Sequence, residues 1–275
     1  MANMRVAVVG HVEWVDFLRV QAVPVAGDII HARDWFAEPA GGGPVAAVQL
    51  ARLAGKATFF TALGDDELGH RSLERLRELG VDAHAVFRPV PQRRAVTFLD
   101  ERGERTITVM GERLGPHGGD PLPWEEFRKA EGVYFTAGDR AALERARAAR
   151  SLVATSRVMP LLREAGVPLD AVVGSARDPG ERYEPIEPPP GAVVLTEGPA
   201  GGSWATATGE TGRWEPPPLP GPVRDAYGCG DSFAGGLTFG LASGMPIEQA
   251  VALGAACGAT CLTGRGPYER QQSLA

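Results

Sequence analysis

The residues best suited to chemistry lie in one window, Asp225-Ala226-Tyr227-Gly228-Cys229-Gly230-Asp231-Ser232-Phe233. Gly228 and Gly230 flank a single residue, and Asp231 follows where small and apolar residues begin a helical pattern. Glycines let successive backbone N–H groups turn toward one point. The first turn of a helix adds unpaired N–H groups and the positive end of the helix dipole. Together these features make a place for an anion such as a phosphoryl group. A carboxylate at the same helix start stands beside that anion and can take a proton from an attacking hydroxyl. The pattern also describes an aspartate N-cap preceded by turn glycines, so the window alone leaves both readings open.

The elements that must position this window follow from hydrophobic patterning. Short apolar runs predict buried strands at Arg5–Val9, Ala57–Ala62, Gly132–Thr136, Leu152–Thr155, Ala171–Val173 and Ala192–Thr196. Helical patterns fall at Pro44–Ala54, Glu67–Gly80, Arg140–Arg150, Met159–Gly166, Asp231–Ser243 and Pro246–Thr263. Strands alternating with helices predict an α/β fold around a mostly parallel sheet. Two stretches break the alternation: Val12–Phe36 and Ala95–Met110 read as antiparallel excursions, the second folded at the polar turn Glu101-Arg102-Gly103-Glu104. Such excursions form either a lid or an ordinary edge hairpin.

Length and composition set the frame. The chain has 275 residues, 44% of them hydrophobic, enough to bury a substantial core as one domain spanning residues 1–275. The formal net charge of −6 argues against a nucleic-acid or membrane-surface partner. It leaves room for an anionic ligand, because backbone N–H groups bind phosphate on an acidic protein. Three cysteines, Cys229, Cys257 and Cys261, fit a reducing compartment. Cys257 and Cys261 read as small core residues of one helix face. Met1 to Arg5 runs directly into the first strand without a signal-peptide pattern, and no run is long enough to span a bilayer. The expected location is cytoplasmic.

The window resembles the signature of the ribokinase-like (PfkB) carbohydrate kinases, Asp-Thr-Thr-Gly-Ala-Gly-Asp-x-Phe: Asp225, Gly228, Gly230, Asp231 and Phe233 match. Ala226 and Tyr227 replace the two threonines, and Cys229 replaces alanine. Gly41-Gly42-Gly43-Pro44 followed by Leu50–Gly55 is similar to the family's first glycine signature, and Thr61–Gly69 to its Gly-x-Asp-x-x-Gly turn. Thr196-Glu197-Gly198-Pro199-Ala200-Gly201-Gly202 resembles the nucleotide loop, and Gly264-Arg265-Gly266 stands where the family has its last glycine turn. These matches keep the family's order across nearly the whole chain.

The resemblance implies a ribokinase-like three-layer sandwich with a small β-strand lid built from about residues 12–36 and 95–110, and a homodimer formed through that lid. It implies an ATP-dependent kinase acting on a hydroxyl of a small sugar or sugar-like molecule, with Asp231 as base and the N–H groups of Gly228, Cys229 and Gly230 as anion hole. Thr196, Gly198, Gly201 and Gly264 would line the ATP side. Gly41, Gly42 and Val45 would stand at the sugar. Mg2+ would bridge the ATP phosphates, largely through water, and Asp225 would be the side-chain ligand of a monovalent cation such as K+.

Three departures bear on the substrate. The family's Asn-x-x-Glu, which organises Mg2+ and phosphate, is replaced by Ser175-Ala176-Arg177-Asp178, where Asp178 could still order a metal-bound water. The asparagine that ends the first glycine signature is replaced by Val45 or Ala46. The early sugar-binding aspartate has no clean counterpart: Asp16 is one residue out of place, and Glu13 lies where a second polar contact belongs. One step along a strand changes the face, so only one of Glu13 and Asp16 points at the substrate, and the reading favours Glu13. His11, Asp65 and Asp66 read as structural, and Arg94 and Arg105 as solvated. The chain is short for the family, with trimming expected near Ser175–Tyr183. A nucleoside kinase of the same family, or a catalytically weak nucleotide or metabolite sensor, stands as the alternative.

Overall fold

The computed structural model describes residues 4–274. Met1–Asn3, on which the reading of a chain without a leader partly rests, lie outside the described residues. Strand β1 (Val6–Val9) is buried along its whole length. Val6 and Val8 pack into one core while Ala7 and Val9 pack into another, the period-two alternation of a strand covered on both faces.

From β1 the chain leaves for β2 (Glu13–Arg19) and β3 (Asp34–Ala40), then returns through α1 (Gly42–Ala54), β4 (Ala57–Gly64), α2 (Glu67–Glu78) and β5 (Val81–Arg88). A second excursion makes β6 (Arg94–Leu99) and β7 (Arg105–Met110). The main sheet continues with β8 (Gly132–Phe135), α3 (Arg140–Ala146), β9 (Ser151–Thr155), α4 (Met159–Ala165), β10 (Ala171–Ser175), β11 (Ala192–Thr196), β12 (Gly202–Thr206) and β13 (Thr211–Trp214). Helices α5 (Cys229–Ala242) and α6 (Ile247–Cys261) close the order.

The main sheet has nine strands in the order β13-β12-β11-β10-β9-β8-β1-β4-β5. Its strands from β11 to β5 pair in parallel, and the β11-β12-β13 edge is antiparallel. Helices α1, α5 and α6 contribute to the core on one face, and α3 and α4 to the core on the other, giving three layers. The order reverses at β1, which lies between β4 and β8. In open parallel sheets, ligands collect at the carboxyl ends of strands beside such a reversal.

The two excursions join as a separate four-stranded sheet, β3-β2-β6-β7. This is the small sheet that the family resemblance assigns to a lid, with one difference: β2 and β6, from different excursions, pair in parallel. Val15 and Phe17 of β2 and Ala95 and Leu99 of β6 turn their side chains into the main core. Strands β5, β12 and β13 are absent from the sequence-based assignment. Among the described residues no helix is long and apolar enough to cross a membrane.

Candidate active site

Two helix starts meet at the carboxyl ends of β1 and β8. Helix α5 begins at Cys229 because Gly228, at φ 81°, takes the left-handed N-cap conformation that glycine adopts at no steric cost. A side chain there would also collide with the loop's support, since a Cβ on Gly228 would lie 3.0 Å from the fully buried Val45 and 3.1 Å from Pro267. Helix α1 starts after Gly41. The Gly41 N–H donates to the buried Tyr227 hydroxyl at 3.1 Å, tying the two helix starts together.

Asp231 occupies the first turn of α5 and faces the start of α1: its Oδ1 lies 3.0 Å from the position of a Cβ on Gly42. The residue keeps partial access to solvent. Burial of its carboxyl, then the negative charge of Glu181, push its pKa up from 3.8 to about 6. Arg105 and Arg157 oppose that rise. The group is therefore largely ionised at neutral pH yet able to accept a proton. The Cys229 thiol is held well above its ordinary value by Cys261 beside it and by burial, so it stays neutral.

Asp225 is fully buried, and burial raises its pKa. Its Oδ1 accepts the Tyr227 N–H at 2.8 Å and its Oδ2 accepts the Gly266 N–H at 3.0 Å. It thus clamps the loop before α5 to the turn that contains Gly264, whose own N–H donates to the Cys261 carbonyl at the end of α6. Thr196 ends β11 and donates to the Gly174 carbonyl at 3.3 Å. The following loop closes on itself, with the Gly201 N–H donating to the Gly198 carbonyl and the Glu197 N–H to the Gly201 carbonyl. Trp214, against which Gly201 and Gly202 pack, stacks on Phe233 of α5 at 5.5 Å.

The strand after β1 separates the two acidic candidates. Glu13 is buried, its Cγ 3.6 Å from a Cβ position on Gly41. Glu13 Oε1 accepts Arg93 Nε at 2.7 Å and lies 3.5 Å from His11 Nε2. Burial opposes ionisation of Glu13, but His11 and Arg93 hold its carboxyl down at about 2. Burial lowers His11 to about 4, so the ring is neutral at physiological pH. Asp16 lies three residues along β2, on the opposite face, where it accepts Arg94 Nη2 at 3.1 Å. Arg94 is therefore engaged rather than merely solvated.

Asp178 stands apart from the acid that influences Asp231. Its carboxylate accepts Arg157 Nη2 at 2.6 Å and caps the Gly180 N–H at 2.8 Å. Glu181, which accepts the same guanidinium, is the carboxylate whose charge reaches Asp231. Among the described residues no group of three or more His, Cys, Asp or Glu side chains is placed to hold a metal ion. Asp178 shares the Arg157 guanidinium with Glu181, and Asp225 clamps two backbone N–H groups, one on each of its oxygens.

Several residues at this corner carry no role in the sequence reading. Tyr227 figures there only as a replacement for threonine. Thr136 figures only as the last residue of an expected strand, and Arg93, Arg113, Arg157 and Glu181 are assigned nothing. Thr136 had a local signal, because it ends an expected central strand at the carboxyl edge. The others arrive from segments with no motif. Arg105, read as solvated, donates Nη1 to the Ala226 carbonyl of the loop before α5 at 3.0 Å.

The family model described as "pfkB family carbohydrate kinase" matches residues 3–167 and 183–273. The unmatched stretch between them contains Ser175–Asp178. An ATP-dependent ribose-1-phosphate kinase of Halopiger xanaduensis is 29% identical over 280 residues, covering 93% of this chain and 91% of that protein. A ribokinase of Dictyostelium discoideum is 29% identical over 108 residues, and that match covers 38% of this chain and only 34% of the relative. The structure of Arabidopsis thaliana ribokinase complexed with ribose and ATP superposes with a TM-score of 0.76 at 19% identity, covering 98% of this chain and 96% of that one.

Proposed function

The chain belongs to the pfkB family of carbohydrate kinases, and from that premise we propose that it transfers the γ-phosphoryl group of ATP to a hydroxyl of a small sugar or sugar-like metabolite. The observation that carries this reading is the placement of Asp231 in the first turn of α5, facing the start of α1 at Gly42. Two helix N-termini then address one space, and a carboxylate of suitable basicity stands in it.

In this reading the acceptor hydroxyl lies beside Asp231, and the Asp231 carboxylate takes its proton as the oxygen attacks. The backbone N–H groups of Gly228, Cys229 and Gly230 receive the charge spread over the transferring phosphoryl oxygens. The Thr196–Gly201 loop and the Gly264–Gly266 turn face the nucleotide. Asp225 fixes the anion hole by holding Tyr227 and Gly266 together. Mg2+ bound to the ATP phosphates would supply charge neutralisation; no side chain of this chain is assigned as its ligand. Glu13 and His11 border the acceptor side next to Gly41.

The test is ATP consumption by the purified protein over pentoses, hexoses, sugar acids, sugar phosphates and nucleosides, with identification of the phosphorylated product. Turnover of at least one sugar-like acceptor is expected. Nucleotide binding by calorimetry without turnover of any acceptor would favour a sensor, and absence of nucleotide binding would overturn both readings.

A further inference from the structure

Among the described residues Arg113 is a half-buried cation without a counter-ion. Its Nε donates to His11 Nδ1 at 3.1 Å and its Nη2 to the Thr136 carbonyl at 3.1 Å. Among the described residues no carboxylate lies within 4.0 Å of it, and its Nη1 makes no hydrogen bond to the protein. His11 cannot neutralise it. Accepting at Nδ1, the ring keeps its proton on Nε2 and presents it to Glu13. Glu13 is already paired to Arg93. Arg93 therefore has a carboxylate partner here, and Arg113 beside it has only His11 and the Thr136 carbonyl. Burial, followed by the positive charges of Arg157 and Arg93, makes the Arg113 cation costly to hold.

A second observation points the same way. Thr136 is 2% exposed, and its Oγ1 has no hydrogen-bond partner among the described residues. That oxygen lies 3.5 Å from a Cβ position on Gly42, the same position that Asp231 Oδ1 approaches to 3.0 Å. A buried hydroxyl without a partner costs free energy. It lies beside the proposed acceptor position, on the residue whose carbonyl orients Arg113.

We propose that the acceptor substrate carries an oxyanion, a phosphate monoester or a carboxylate, that binds Arg113 at the His11–Thr136 corner while its hydroxyl lies at Asp231. This inference rests on the kinase reading above and names the substrate class for that same site. An oxyanion neutralises the guanidinium by charge-assisted hydrogen bonds, and Thr136 Oγ1 gains a polar partner on the bound molecule. Val45 or Ala46 replaces the family's sugar-binding asparagine, and both are fully buried, so the hydroxyl contact of that asparagine is lost, which fits a shift of recognition toward charge.

The experiment compares kcat/KM for matched acceptors: neutral pentoses and hexoses, their monophosphates, and the corresponding aldonates and uronates. At least one anionic acceptor is expected to exceed its neutral parent by about 10–100-fold, and the phosphate and carboxylate arms tell the two sources of the anion apart. Arg113→Met is expected to raise KM for that acceptor by a similar factor with a smaller change in kcat, and Arg113→Lys to restore part of it. Thr136→Val, which removes only the unpartnered hydroxyl, serves as a second variant and is expected to raise the same KM. Neutral sugars turned over as well as or better than every anionic counterpart would overturn this proposal and leave the kinase reading standing. No ATP turnover with any acceptor would overturn both.

Discussion

Asp231 Oδ1 lies 3.0 Å from the point where a Cβ on Gly42 would sit. The start of α1 is thus the wall against which the proposed base rests. Alanine suits a helix start, and Gly42 does not occupy a positive-φ conformation. Gly42→Ala is therefore expected to fold with a Tm close to that of the wild type. The added methyl group must displace the Asp231 carboxylate, and small displacements of reacting groups cost up to about 100-fold. We expect kcat to fall by roughly 10–100-fold; steady-state kinetics beside a thermal melt separate that result from loss of fold.

The pH profile of kcat/KM follows from the carboxyl of Asp231. A base must be deprotonated to act, so activity is expected to fall as pH drops through about 6 and to level off above it. Glu181 contributes negative charge that raises this value. Glu181→Gln removes that charge and leaves Arg157 less neutralised, so the acid limb should move to lower pH. An unmoved limb would separate Glu181 from the base.

Tyr227 stands where the family signature has threonine, and here its hydroxyl accepts the Gly41 N–H across the site. Tyr227→Phe leaves that buried donor without a partner, at a cost of ~1–3 kcal/mol. A lower Tm and a reduced kcat are expected together, because the same bond aligns α1 with α5. An unchanged melt would show that water satisfies the donor.

Much of the fold is legible in the sequence because its signals are local. The strands at Arg5–Val9 and Ala192–Thr196 are continuous apolar runs. The sequence pattern starts α5 at Asp231, whereas the helix begins at Cys229, because the left-handed Gly228 and not Asp231 is its N-cap. The missed strands are those whose burial alternates or fades. β5 mixes Val81 and Ala83 with Asp82 and His84 at the sheet margin, and β12 and β13 form a glycine-bearing edge hairpin in which only Gly202 and Trp204 are buried. The site divides in the same way. Asp231 and its glycines lie within one short motif. The Arg113–His11–Glu13–Arg93 array joins residues up to 102 positions apart. No spacing rule links them, and only the return of the small sheet over the main one brings them together. Asp178 shows the converse: its spacing imitates a family motif, but Arg157 occupies its carboxylate, while Glu181, three residues on, is the acid that acts on Asp231.

The most direct test is kcat for Asp231→Asn, an isosteric change that removes the proton acceptor, measured at saturating ATP with the best acceptor from the screen. A fall of about 10²–10⁴-fold is expected, with ATP affinity retained. Stability provides an internal control. The folded carboxyl titrates at about 6 against 3.8 without the fold, so the folded chain holds a proton that the unfolded chain has released, and stability falls as pH rises between those values. The penalty at neutral pH is at most ~3 kcal/mol, and less because solvent reaches the residue. Asp231→Asn should therefore raise Tm above about pH 6, with the gain fading toward pH 4. A variant that melts as expected and turns over almost no substrate fits Asp231 as the base, whereas turnover close to that of the wild type would contradict it.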